Sequence, residues 1–154
     1  MNRLLATFAL LFCAFPALAQ SPATPTPSPA AVETDADVEA RQTALILAGA
    51  FANDGFKVRD GHWGGSLIEG GKSTIEVNLY AGNQYWFSVG GTPAAKELKV
   101  TVFDESGAQA NSESYAEGAT AAAGIIPAAS GPYYVQVEEV KGDASTFCLV
   151  YSYK

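Results

Sequence analysis

Residues able to do chemistry are scarce in this chain. It has one histidine, His62, and two cysteines, Cys13 and Cys148. A Ser-His-Asp arrangement would need a serine on a Gly-x-Ser-x-Gly turn or its equivalent, and none is present. A metal site would have to be recruited around His62 from acids or Cys148, and no paired ligand spacing supports one. His62, beside Trp63 at the start of a strand, reads as structural. Basic residues are also few: 9 Lys and Arg stand against 16 Asp and Glu, without a basic cluster. That excludes the electrostatic footprint that nucleic acid or anionic lipid requires. No apolar run reaches the roughly 20 residues of a membrane span. The sequence thus points to no cofactor, no metal, no nucleic acid and no membrane span.

What the chain does have begins with its address. Met1-Asn2-Arg3 is a short basic head, Leu4 to Phe15 is apolar apart from Thr7, and Ala17-Leu18-Ala19 fits a signal-peptidase site. Phe12 before Cys13 disfavours a lipoprotein signal. Residues 1–19 therefore read as a signal peptide, and the mature chain is expected to start near Gln20 and to be periplasmic or secreted. Removing the signal takes only Arg3 from the charges, leaving 8 basic against 16 acidic residues. Cys13 leaves as well, so Cys148 has no partner within the chain. It reads as a buried small apolar residue, with an exposed thiol pairing between chains as the alternative.

Residues 20–32 read as a Pro-rich linker, with prolines at 22, 25, 27 and 29 favouring extended polyproline II. Residues 33–55 carry helix signals. Thr34 is a plausible N-cap, and Asp35, Asp37 and Glu39 fall where the helix dipole favours negative charge. Ala40, Ala44, Leu47, Ala48 and Phe51 share one face of a helix over 35–52, and Asn53-Asp54-Gly55 supplies the stop. This helix is expected to pack on the domain after it; a free partner-binding helix is the other reading.

From 56 to 154 the apolar period becomes two. Trp63/Gly65/Leu67, Ile75/Val77/Leu79, Tyr85/Phe87/Val89, Leu98/Val100/Val102, Tyr133/Val135/Val137 and Phe147/Leu149/Tyr151 each place alternate side chains on one face. A shorter strand is expected over Ala121–Ile126, and an edge strand near Ser112–Tyr115. Glycine-rich turns separate these runs, and no helices intervene. The fold class expected is mainly β, an antiparallel β-sandwich of jelly-roll type with seven or eight strands and one N-terminal α-helix. Gly70-Gly71-Lys72-Ser73 mimics the end of a phosphate-binding loop. The position needing its first glycine is Ser66, however, and Ser73 opens a strand rather than a helix, so a hairpin turn is expected.

Glu138 and Glu139 are strand neighbours and must point to opposite faces, so they cannot work as a carboxylate pair. Asp104, Glu105, Glu113, Glu117 and Asp143 read as solvated loop acids without calcium-loop spacing. Trp86, Tyr134 and Tyr80 are the candidate ligand-binding residues. They occupy the outward register of their strands, where they form either an open aromatic platform or the surface that the helix covers.

The stretch from Gly65 to Tyr153 resembles the bacterial pre-peptidase C-terminal domain. The similarity is carried by Gly65-Ser66-Leu67, by Ile75-Glu76-Val77-Asn78-Leu79 leading into Ala81-Gly82-Asn83-Gln84-Tyr85-Trp86-Phe87, by Leu98-x-Val100-x-Val102-Phe103-Asp104-x-x-Gly107, and by Pro127-x-x-x-Gly131-x-Tyr133-x-Val135-x-Val137. The resemblance implies a secreted jelly-roll sandwich that is a non-catalytic accessory module. Unlike many such modules, this chain carries no catalytic domain, and its loop Gly90–Lys96 lacks the acidic run often found there. A non-catalytic binding or structural module of the bacterial envelope, with an envelope protein or polysaccharide as partner, is the function expected. Carbohydrate binding through an aromatic face is the alternative, and an unrecognised hydrolase the weaker one.

Overall fold

The structure, a computed structural model, describes residues 33–154. The expected signal peptide and Pro-rich linker lie outside the described residues. Helix α1 spans Asp35–Ala50 and is followed by a 3-10 turn at Ala52–Asp54. Nine strands follow: β1 Lys57–Val58, β2 Trp63–Leu67, β3 Lys72–Leu79, β4 Tyr85–Gly91, β5 Ala95–Phe103, β6 Glu113–Glu117, β7 Thr120–Ile125, β8 Gly131–Gly142 and β9 Ser145–Tyr153. One sheet runs β1-β9-β4-β7-β6, with β2 pairing β9 beside β1; the other runs β3-β8-β5. Every strand pair is antiparallel. The strand missed in the sequence is β1, two residues too short to show a period.

The inward register is the one the alternation dictates. Tyr85, Phe87 and Val89 of β4 face Tyr133, Val135 and Val137 of β8 across one core, joined by Leu79, Leu98, Val102 and Leu149. Strand β9 buries both faces. Phe147, Leu149 and Tyr151 enter the sandwich, while Cys148 and Val150 pack under α1 with Ala40, Ala44 and Ala48. The second, smaller core uses small side chains because the helix sits close. A Cβ added at Gly90 would lie 2.3 Å from the Ala44 nitrogen and 2.7 Å from the Ala40 carbonyl oxygen. Only glycine permits that approach.

Thr34 caps α1 as expected. Its hydroxyl accepts from the Asp37 N–H at 3.2 Å, and its own N–H donates to the Asp37 carboxylate at 2.9 Å, closing a capping box. The Thr34 bonds hold the Asp37 carboxyl below the usual carboxylate range. The chain turns at Gly70-Gly71, where the Gly71 N–H donates to the Ile68 carbonyl at 2.7 Å, and enters β3 at Lys72. Where a phosphate-binding loop would need a helix, the chain has a strand.

Candidate functional site

The three aromatic residues chosen from the sequence do not come together. Trp86 stands on the outer face of the larger sheet. Phe51, the residue that ends α1, stacks on it with ring centroids 4.2 Å apart and planes 10° from parallel. The indole also lies flat over Gly124 of β7, where a Cβ would meet it at 2.7 Å. Tyr134 lies on the other sheet, half-buried between Glu76 of β3 and Phe103 of β5. Tyr80 follows β3 and is 63% exposed. A single platform is therefore not formed, because β4 and β8 belong to opposite sheets and their outward registers face away from each other. The helix covers Trp86 alone.

A different constellation forms where β2 and β3, edge strands of the two sheets, come side by side. Two adjoining depressions there, of about 530 and 300 Å³, share Arg59, Asn78, Tyr80 and Tyr151. The larger adds Asp60, His62, Trp63 and Glu76; the smaller adds Asn83 and Tyr153. Each wall has a structural cause. The segment before β2 is pinned to β9 by the Arg59 N–H, which donates to the Tyr151 carbonyl at 2.9 Å. The Arg59 guanidinium donates to the Tyr151 hydroxyl and lies 5.6 Å from the ring centroid, so it is held over the floor of the groove. Trp63 stacks on Tyr151 at 5.9 Å, with planes 18° apart. On the opposite wall the Tyr85 hydroxyl accepts from the Tyr80 N–H at 3.0 Å and from the Asn83 amide at 3.1 Å, which fixes the turn that carries Tyr80.

Trp63 was expected inside the sandwich by its alternation with Gly65 and Leu67. It is 37% exposed instead, while Leu67 is buried. Trp63 lies opposite Leu149 and stacks on Tyr151 at the open end of the core, while Phe147 fills the space over Gly65, where a Cβ would meet its ring at 3.2 Å. His62, expected to be structural, is exposed in the same groove. Tyr80 is thus the one residue of the sequence-based set that lines it. Arg59, Asp60, Asn78 and Tyr151 were missed. The run Arg59-Asp60-Gly61-His62-Trp63, polar residues leading straight into an aromatic one, was the signal available.

Compared with models of known families and with curated proteins, the sequence matches none. The groove must therefore be read from its own chemistry. Trp63, Tyr80 and Tyr153 offer aromatic surface that water reaches, and Asn78, Asp60, Glu76 and His62 offer hydrogen-bonding groups around it. The ion pairs of the described residues, Arg41–Glu33, Lys72–Glu138 and Lys141–Glu97, lie elsewhere and leave the groove acids unpaired. A third depression, of about 300 Å³, runs beside Trp86, Phe56, Gln84 and Ile126.

The remaining sequence candidates resolve individually. No three of the His, Cys, Asp and Glu residues among those described gather as a metal site. Asp104 closes the turn after β5, its carboxylate accepting from the Ser106 hydroxyl at 2.6 Å and from the Ser106 and Ala108 N–H groups; the Ser106 hydroxyl chiefly holds it below the usual carboxylate range. Glu113 and Glu117, read as loop acids, stand at the two ends of β6. Glu138 points outward to Lys72 at 3.3 Å, whereas Glu139 is fully buried and accepts from the Ser145 hydroxyl at 2.6 Å. Cys148 is buried, and that burial pushes its thiol up to about 11.

Proposed function

We propose that this chain is an exported, non-catalytic binding module of the bacterial envelope, related in build to the pre-peptidase C-terminal domain, and that its ligand sits in the groove between β2 and β3. The observation that carries the reading is the convergence of Trp63, Tyr80 and Tyr151 with Arg59, Asn78 and Glu76 on one open depression of a well-packed sandwich. Ligand sites combine apolar and aromatic surface with a few placed polar groups in this manner, at volumes of roughly 300–1,000 Å³. The signal-like residues 1–19 and the proline-rich stretch after them support export and a spacer between the domain and its neighbours.

The test is co-sedimentation of the mature domain with a cell-wall and membrane fraction, using wild type and the Trp63→Ala/Tyr80→Ala double variant. Binding that falls in the double variant, with an unchanged circular dichroism spectrum, supports the groove. Equal binding by both proteins refutes it. N-terminal sequencing of exported material checks the address and should start at or near Gln20.

One observation favours a second reading, a hydrolase. His62, Asp60 and Glu76 line the same groove. Release of reducing ends or of new amines from envelope polymers, abolished by Glu76→Gln, would establish catalysis in place of binding.

A further inference from the structure

We infer that the ligand of the β2–β3 groove is a neutral glycan; this rests on the proposal that the groove is the binding site. The first argument is shape. The two adjoining depressions are open to solvent and together offer a groove large enough for more than one sugar ring. Its exposed aromatic rings come from two different places, Trp63 from the start of β2 and Tyr80 from the turn after β3, above the buried Tyr151 of β9. An aromatic face meets the C–H face of a pyranose ring without needing matched hydrogen bonds.

The second argument is the set of polar groups. Asp60 and Glu76 accept hydrogen bonds, the amides of Asn78 and Asn83 both donate and accept, and a ring bearing hydroxyls offers both in return. The third argument is charge. Two carboxylates stand in the larger depression against one cation, Arg59, and that cation is committed to the Tyr151 hydroxyl and ring. An anionic polymer would meet Asp60 and Glu76 against the single guanidinium of Arg59, a local excess of negative charge. The whole chain, at a formal net charge of −7, adds to the repulsion. Uronate chains, teichoic-type phosphates and nucleic acids are thereby disfavoured, and hydroxyl-rich neutral sugars are left.

The experiment is binding of the mature domain to an array of neutral and uronate-containing oligosaccharides, followed by calorimetry on the strongest binder with wild type, Trp63→Ala, Trp63→Phe, Tyr80→Ala and Tyr134→Ala. The inference expects a neutral oligosaccharide to bind and Trp63→Ala to weaken it about tenfold, the scale of one aromatic contact. Trp63→Phe should restore most of the affinity, and Tyr134→Ala, on β8 and outside the lining of the groove, should leave it unchanged. Binding confined to uronates but lost in Trp63→Ala overturns the neutral class and leaves the groove standing. Absence of glycan binding, together with envelope co-sedimentation that still depends on Trp63 and Tyr80, overturns the glycan class alone. Glycan binding indifferent to both substitutions overturns the groove as well.

Discussion

Replacing Gly90 by alanine should loosen the helix from the sandwich, and the size of the effect follows from the geometry. The added Cβ would lie 2.3 Å from the Ala44 nitrogen, where an ordinary contact is at least 3.4 Å. The helix must therefore retreat by about 1 Å, because the obstructing atoms are backbone and have no rotamer to change. A gap of that size forfeits roughly a quarter to a half of the dispersion contacts across an interface. Here the interface is the small core of Ala40, Ala44, Ala48, Cys148 and Val150. Overpacking costs about 1–3 kcal/mol, and the backbone clash places this case near 3 kcal/mol. For a domain of this size that is a fall in Tm of about 10 °C. Urea unfolding followed by circular dichroism gives the free energy. Tryptophan fluorescence reports the displacement, since Phe51 at the end of α1 stacks on Trp86. A loss below about 0.5 kcal/mol, with unchanged fluorescence, would refute the claim that the helix backbone rests on β4 at Gly90.

Three further outcomes are expected. Gly49→Ala lies on the exposed side of the same helix with nothing within 4 Å of the added Cβ, and should stabilise by about 0.5–1 kcal/mol in the same urea assay. Phe87→Ala empties a fully buried position between the sheets and should cost about 3–5 kcal/mol by denaturant unfolding. Cys148 should resist a thiol reagent at pH 8 until the protein is unfolded. Because its folded-state value, about 11, is raised above the ordinary 9.0, the unfolded chain releases the proton first, and stability should decline as pH rises from about 9 to 11.

The fold was legible wherever one face of a strand is buried and the other is not. Ile75, Val77 and Leu79 alternate with exposed Thr74, Glu76 and Asn78, and β3 could be read directly. Strand β6 was faint because all five of its residues are exposed at a sheet edge, leaving no period to detect. Strand β7 was faint for the opposite reason: Ala121 to Ile125 are all buried, so both faces are apolar. The capping residue Thr34 and the stop at Gly55, which adopts φ +86, were local signals and could be read without tertiary information.

The site was far less legible. Pairing decides which outward faces meet, and alternation within one strand does not contain pairing. Trp86 and Tyr134 share a register but not a sheet. Trp63 alternates with Leu67 and keeps the inward register opposite Leu149, yet it is 37% exposed because it lies at the open end of the core, stacked on Tyr151, a residue more than eighty positions away. Tyr151 was read correctly as an inward residue, and its partial role as a groove floor depends on lying at the end of the core where Arg59 folds over it.

The two tryptophans of the chain, Trp63 and Trp86, provide the most direct test of the central claim. Their indole N–H signals in a nitrogen-15 NMR spectrum can be assigned by single Phe substitutions and followed while a neutral oligosaccharide selected on the array is added. With Trp63 in the ligand groove and Trp86 stacked beneath Phe51, the Trp63 signal should shift progressively to saturation while the Trp86 signal stays in place. A shifting Trp86 signal beside an unmoved Trp63 would contradict the account and move the binding site to the helix-covered face.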